Sequence, residues 1–443
     1  MDMTVDEIYK DALDYLYSRL PMFSRVGAAA YKPGLETTLA LNKYFGNPHK
    51  QFKSIHIAGT NGKGSTSHML AAVLQSQGYK TALYTSPHLV DFRERIRING
   101  KMIPKENVIE FVEQWKNSDF TGEPSFFELT MMMAFKWFAD EKVDYAVIEV
   151  GMGGRLDSTN VITPILSVIT NISHDHNQFL GDTLTAIAAE KAGIIKDKIP
   201  VVVGERQEEC ADVFLSKAKE MDAPILFASD SPLPTKMTHS LGGAWEVSYP
   251  GGDFTFHLGG DYQQKNIITV MAAIEKLRQR GILITDEALI EGIENVGSLT
   301  GLYGRWSILA DSPLIIADTG HNIGGLTYNF NQLERMMNDR PYSKLRVVIG
   351  FVADKAIDKI LNLLPRKAIY YITNASILRA LSSDKLYDVM IEKGFDGKAF
   401  QNVGAAYREA KKEASWEDII FVGGSTFIVA DLLEELGLQN EID

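Results

Sequence analysis

The chain has 443 residues, 45% of them hydrophobic and 23% charged, which fits a soluble protein of two or three domains. Its net charge of −12 argues against general binding to nucleic acid or a membrane surface, although one loop can still concentrate positive potential around an anion. Cys210 is the only cysteine, which excludes an internal disulfide and a cysteine-based zinc site and fits a reducing cytoplasm. The first residues, Met1 to Glu7, lack a signal-like apolar stretch, and the apolar run Leu129–Ala139 is broken by Lys136, so a cytoplasmic location is expected.

In chain order, short apolar runs recur at Ser54–Ala58, Thr81–Thr85, Tyr145–Val150, Leu166–Asn171 and Ile199–Gly204, with helix-like segments between them. Such runs read as parallel strands buried on both faces. The first enters Gly59, Thr60, Asn61, Gly62, Lys63, Gly64, Ser65 and Thr66, and good helix formers follow to Gln75. Strand, Gly-rich turn and helix start together aim backbone N–H groups at one anion. Lys63 can reach a terminal phosphate, and Ser65 or Thr66 can hold Mg²⁺ through its hydroxyl. The spacing departs from the common phosphate loop: Ile57 stands where its first glycine belongs, and Gly64 follows the lysine. The competing reading is a tight turn that uses glycine only for its backbone freedom.

Four further clusters carry candidate chemistry. Ser86 follows a strand in Thr85-Ser-Pro-His-Leu89, where ligands of open α/β sheets collect, though Ser-Pro is also plain turn chemistry. Glu149 ends an apolar strand, where a carboxylate needs either a cation such as Mg²⁺ or backbone hydrogen bonds, and a Gly-rich loop runs on to Asn160. In Asn171-Ile-Ser-His-Asp-His-Asn177, His176 reads as a metal ligand oriented by Asp175, or as loop chemistry. A helix capped by Asp182 or Thr183 then carries Lys191, a position usually solvated. Met237–Leu258 alternates around Pro250-Gly-Gly252 and reads as a small antiparallel patch, and a helix is expected over Gln264–Arg280. Gly297–Gly304 breaks the rhythm and marks the domain boundary. Strands restart at Leu314–Ala317, Leu345–Gly350, Ala368–Thr373 and Asp418–Val422. The fourth cluster is Asp318-Thr-Gly-His-Asn322, with Arg305 upstream, either reaching a nucleotide in the cleft or solvated. The expected fold is α/β. Residues 1–298 form a large P-loop-type domain on a mostly parallel sheet with a small antiparallel patch, and 299–443 a smaller Rossmann-like α/β domain.

These segments, in order, resemble folylpolyglutamate synthase and the related bifunctional dihydrofolate synthase, ATP-dependent amide ligases of the Mur-ligase type. The resemblance rests on His56–Thr66, Thr85–Gly100, Glu149–Asn160, Asp175-His176, Glu190–Ile194, Gly260–Asn266, Gly304-Arg305, Asp318–Asn322 and Gly424-Ser425. It implies that ATP phosphorylates a folate carboxylate and that the amine of L-glutamate attacks the acyl phosphate. By the same resemblance, Gly59–Thr66 would cradle ATP, and Asn266, Arg305 and Asp318 would hold it from across the cleft. Ser86, Glu149 and His176 would bind Mg²⁺. Lys191 would be carbamylated and support a second metal, and Lys63, Lys191 and His321 would be catalytic. Pteroate would be met by Gly34–Glu36 and Ser125–Glu128. The chain departs from the family pattern at Tyr303, at Ile323 and at Lys355-Ala356, all on the second-domain side. The implied partners are ATP, L-glutamate and a reduced folate, with no nucleic acid and no membrane, acting on a monomer. A cell-wall-type amino-acid ligase is the alternative enzyme, and a nucleotide- or pteridine-binding module without catalysis the alternative class.

Overall fold

The apolar runs of the first half lie side by side because each has two faces to bury. In the computed structural model, which describes residues 3–21, 34–240, 243–353 and 357–438, they form one eight-stranded sheet. Lys355 and Ala356 lie outside the described residues. The strands are β1 (Lys53–Ala58), β2 (Thr81–Tyr84), β3 (Ile96–Ile98), β4 (Lys101–Met102), β5 (Tyr145–Glu149), β6 (Leu166–Ile169), β7 (Val201–Val203) and β8 (Ile225–Phe227). Their order is β4-β3-β2-β5-β1-β6-β7-β8. Pairing is parallel from β2 to β8, and β3 and β4 add an antiparallel edge. That edge was not expected from hydropathy, yet it carries a local signal. Asn99 and Gly100 both have positive φ (47° and 75°) and join β3 to β4 as a two-residue hairpin turn.

The alternating segment forms three antiparallel strands, β9 (Lys236–His239), β10 (Trp245–Tyr249) and β11 (Gly252–Phe256). In the second half, β12 (Ser307–Asp311), β13 (Leu314–Asp318), β14 (Leu345–Ile349), β15 (Ile369–Ile372), β16 (Asp396–Ala399) and β17 (Ile419–Gly423) form a six-stranded sheet. Its order is β12-β13-β17-β14-β15-β16, parallel except for β12. The mixed α/β architecture with a separate C-terminal sheet is the one expected. Among the described residues no helix is long and apolar enough to cross a membrane.

The helix after the Gly-rich turn, Lys63–Ser76, is buried continuously from Gly64 to Leu74. It lacks a polar face because the sheet lies on one side and the helices Gln263–Gln279, Asp286–Glu294 and Val296–Thr300 lie on the other. The last of these occupies the segment read as a Gly-rich break. Its geometry follows from Thr300, whose hydroxyl donates to Val296 O (2.5 Å) and accepts from His68 Nδ1 (2.8 Å). Burial holds the His68 imidazole down at about 3, so it is neutral and donates through Nδ1–H. Gly301, at φ 68°, then ends the helix in the left-handed region.

The helices Lys63–Ser76 and Asp286–Glu294 cross closely at Gly292. A Cβ there would stand 2.5 Å from Val73 Cα and 2.6 Å from Val73 N, both backbone atoms that cannot rotate away. Gly292→Ala should therefore destabilise the protein by about 1–2 kcal/mol, because overpacking outweighs the gain of about 1 kcal/mol in helix propensity. Urea unfolding checks this, and a more stable variant would mean that the two helices part without cost.

Candidate active site

The Gly-rich turn sits where three strands end. Ile57 of β1 is in register with Glu149 of β5, and the chain beyond β6 closes over the turn. Thr60 N–H donates to Asn171 O (2.9 Å), and Asn61 N–H donates to Asn171 Oδ1 (3.1 Å). In return the Thr170 hydroxyl and Asn171 Nδ2 donate to Asn61 O (2.5 and 3.2 Å), and Ser173 N–H donates to Thr60 Oγ1 (3.0 Å). Gly62 starts the helix at φ 84°, and a Cβ there would overlap the Asn266 carboxamide. The first helical bond runs from Thr66 N to Gly62 O, which leaves the N–H groups of Lys63, Gly64 and Ser65 without helical acceptors. Ser65 Oγ accepts from Gln263 Nε2 (3.2 Å), while Thr66 Oγ1 and Ser67 Oγ are buried with no protein partner. Free donors, orphaned hydroxyls and a cradle closed to any Cβ suit a phosphate chain. Lys63 Nζ, at the same place, donates to Thr60 O (3.1 Å).

Two buried charges face this turn. Glu149 is 4% exposed; burial raises its carboxyl above the ordinary range, and Lys63, the Ser86 N–H (3.1 Å), Arg305 and Arg95 pull it back down. Lys191 is also 4% exposed, and its Nζ donates to Gly59 O (2.9 Å). Burial, then repulsion from Lys63, brings its ammonium down to about 7, against attraction from Asp175 and Asp157. Lys191 is thus not in the solvated position usual for a helix lysine, because the loop Gly151–Asn160 packs over its helix. Arg155 N–H donates to Glu190 O (2.8 Å), its guanidinium bonds the Glu190 carboxylate (2.8 Å), and a Cβ on Gly154 would meet Lys191 Cα at 3.1 Å. The cap of that helix is Thr183, which accepts from Ala186 N–H.

Of the residues expected to hold Mg²⁺, Ser86 and Glu149 come together, and a desolvated carboxylate beside a hydroxyl residue suits a hard divalent cation. His176 stands beside Asp175, with Nε2 4.0 Å from Oδ2, in a left-handed backbone at φ 52°. Among the described residues no three His, Cys, Asp or Glu side chains cluster as metal ligands.

The second domain meets the turn directly. Asn61 and Asn322 pair through both carboxamides: Asn61 Nδ2 donates to Asn322 Oδ1 (3.2 Å) and Asn322 Nδ2 to Asn61 Oδ1 (2.8 Å). Asn322 also caps the helix Ile323–Asn338 and donates to Asp175 Oδ2 (3.2 Å). His321 Nδ1 faces Thr319 O (3.0 Å), a contact that requires Nδ1–H. Its Nε2 lies 3.5 Å from Asp175 Oδ2. Arg305 lies over the turn: a Cβ at Gly64 would be 3.4 Å from its Nη2 and 3.9 Å from Glu149 Oε2. Asp318 is on the expected side of the cleft, but its carboxylate is engaged by the protein. Oδ1 accepts from Gly320 N and Asn329 Nδ2, and Oδ2 accepts from Trp306 N and Tyr262 OH.

Several contributors escaped sequence reasoning. Thr170, Asn171 and Ser173 hold the turn from a segment read only for its histidines, and Tyr262, Gln263 and Thr319 adjoin expected residues. The available signal was the clustering of polar residues just past β6, where a loop has backbone groups to satisfy.

With this geometry in view, the Mur ligase middle domain matches residues 57–274, and the glutamate ligase domain of Mur ligases matches residues 304–426. The chain has the two catalytic units of an amide ligase of that class. A Bacillus subtilis protein named dihydrofolate synthase/folylpolyglutamate synthase is 32% identical over 97% of this chain and 99% of its own. A folylpolyglutamate synthase of Lacticaseibacillus casei is 34% identical over 78% of this chain and 80% of its own. The E. coli FolC structure in complex with DHPP and ADP superposes with a TM-score of 0.82 at 28% identity, covering 99% of this chain and all of that one. The bifunctional Yersinia pestis enzyme complexed with AMPPNP and Mn ion gives a TM-score of 0.80 at 26% identity, with 99% of this chain and 100% of that one covered. The chain belongs to the folylpolyglutamate synthase/dihydrofolate synthase family.

The Lys191 site has a consequence for stability. Its pKa falls from 10.5 to about 7 on folding, so between those values the unfolded chain holds a proton that the folded chain does not. Stability from this group therefore rises with pH across that window, and below it the full burial penalty applies. Relative to Lys191→Met, wild type should gain stability as pH is raised from 7 to 10. Chemical denaturation at several pH values tests this; a flat difference would show that the amine is solvated.

Proposed function

We propose that this chain joins L-glutamate to a reduced folate by ATP-dependent amide ligation through an acyl phosphate, with dihydropteroate as a second acceptor. The observation that carries the reading is the pairing of Asn61 with Asn322, which places a phosphate-binding turn of one domain against the glutamate ligase domain of the other. Such a split site lets a phosphoryl donor, a carboxylate and an amine meet in one cleft and keeps water from a hydrolysable intermediate. Both halves come from one chain, so a monomer suffices.

In the first step a folate carboxylate oxygen attacks the γ-phosphorus and ADP leaves. Lys63 and Arg305, with the N–H groups at the helix start, oppose the charge that develops on the transferring phosphoryl group. In the second step the glutamate nitrogen attacks the acyl carbon, phosphate leaves and the nitrogen loses a proton. His321 Nε2, 3.5 Å from Asp175 Oδ2, would accept that proton. Mg²⁺ would be held by Ser86 and Glu149 with His176, and when bound it neutralises phosphate charge. Burial brings the Lys191 ammonium down to about 7, which makes the neutral amine that adds carbon dioxide accessible, so carbamylation would turn it into a carboxylate-like ligand for a second metal. Nuclear magnetic resonance with ¹³C-bicarbonate should show a carbamate signal that Lys191→Arg lacks; identical spectra would remove the second metal from the scheme.

The ligation chemistry is tested with folate carrying ¹⁸O in its terminal carboxylate. One labelled oxygen should leave with the released phosphate, and ADP formation should depend on the folate acceptor. Label retained entirely in the product amide, or found in AMP, would reject the acyl-phosphate route. A panel of dihydropteroate, tetrahydrofolate and a muramyl peptide identifies the acceptor.

A further inference from the structure

Arg305 is aimed into the cleft between two left-handed residues, one of which would not adopt that backbone unaided. Gly304 has φ 71° and Trp306 has φ 53°, so both flanking residues lie in the left-handed region. Glycine accepts this freely, but a bulky residue rarely does and needs its surroundings to hold it there. The holding groups are concentrated in Asp318 and Thr319. Gly304 O accepts from Thr319 N–H (3.0 Å) and from the Thr319 hydroxyl (3.0 Å), and the same hydroxyl oxygen accepts from the Arg305 guanidinium. Trp306 N–H donates to Asp318 Oδ2 (2.8 Å), and the Trp306 ring is buried near Phe421. Asp318 Oδ2 has one further donor, the hydroxyl of Tyr262 at 2.5 Å.

Tyr262 belongs to the other domain. It is the residue just before the helix Gln263–Gln279, whose Gln263 side chain bonds Ser65 and whose Asn266 abuts Gly62. One helix start therefore contacts both the phosphate-binding turn and the carboxylate that holds Trp306. Burial, and then the charge of Asp318, raise the Tyr262 phenol well above its ordinary range, so it remains a proton donor wherever the enzyme works.

We propose that Tyr262 is a positioning residue for the ligase reaction: through Asp318 Oδ2 and the Trp306 backbone it sets Arg305 in register with the phosphate-binding turn across the domain boundary. This rests on the proposed ligase activity, and it assigns to Asp318 a role in holding Arg305. Losing the hydroxyl would remove the one donor to Asp318 Oδ2 that comes from the other domain and leave the Trp306 N–H as the remaining donor to that oxygen, so Arg305 would lose part of its fixed aim at the transferring phosphoryl group. Displacements of that kind lower turnover more than ground-state binding.

The experiment is a double-mutant cycle on the full-length enzyme, Tyr262→Phe against Arg305→Ala, read as folate-dependent phosphate release. Tyr262→Phe should lower kcat by roughly ten- to hundredfold while KM for ATP changes less than about threefold. In the Arg305→Ala background the same substitution should have little further effect on kcat. Equal losses in both backgrounds, an unchanged kcat, or a change confined to KM would each overturn the proposal. Should Tyr262→Phe not yield folded protein, Asp318→Asn, which sets an amide against the Trp306 N–H, replaces it in the cycle with the same expectations. Wild-type protein that releases no phosphate with any folate would instead reject the ligase reading, and the two failures are distinguishable.

Discussion

The desolvation of Glu149 is the constraint around which the site is organised. A carboxylate at the end of a central strand, walled by β1, β2 and the helix Lys63–Ser76, cannot keep its charge without cations nearby. The protein supplies Lys63, Arg305 and Arg95 at a distance and one backbone N–H at Ser86 in contact, and burial still dominates. A residual demand for positive charge of this kind suits a hard divalent cation. Lys191 shows the complementary case. Its ammonium is buried next to another cation, so the neutral amine is favoured, and the neutral amine is the reactive one. Both groups would lose these properties on a solvated surface.

The turn that joins these charges is rigid for a reason separate from its own glycines. Its carbonyl and amide groups are consumed by Thr170, Asn171 and Ser173, so the remaining N–H groups at the helix start stay directed at one place. That preorganisation matters in phosphoryl transfer, where the protein does little covalent chemistry and most of the acceleration comes from position and charge. Among the bonds that tie in the second domain, two involve residues at or adjoining contacts to the same turn, Asn61 to Asn322 and Tyr262 to Asp318. Each tie uses a polar side chain out of contact with bulk water, so domain placement and phosphate geometry are coupled.

The interdomain segment illustrates how local and tertiary effects trade places. Gly297–Gly304 has the composition of a flexible connection, yet Thr300 and His68 fix a short helix there, Gly301 closes it, and Gly304 and Trp306 turn the chain toward the cleft. Gly301 and Gly304 in this stretch serve specific backbone angles, φ 68° and 71°, and the hydrogen bonds that fix the segment are not revealed by composition.

What the sequence determined by itself was whatever depends on neighbours along the chain. Strands β1, β2, β5, β6 and β7 follow from short runs of buried apolar residues, the antiparallel patch follows from alternation, and the turn at Gly59–Thr66 follows from glycines between a strand and a helix. The ordered motifs identified the family because they record spacing, and spacing survives without coordinates. Only the tertiary structure decided which side chains meet. Nothing local distinguishes Lys191 from a solvated helix lysine; the Gly151–Asn160 loop packed over it does. Nothing local shows that the Asp318 carboxylate is taken up by Tyr262, Trp306, Gly320 and Asn329, because three of these donors stand at a distance along the chain or in the other domain. The physical reason is the same in each case. Desolvation and hydrogen-bond saturation are set by the sum of all atoms around a group, and most of those atoms come from elsewhere in the chain.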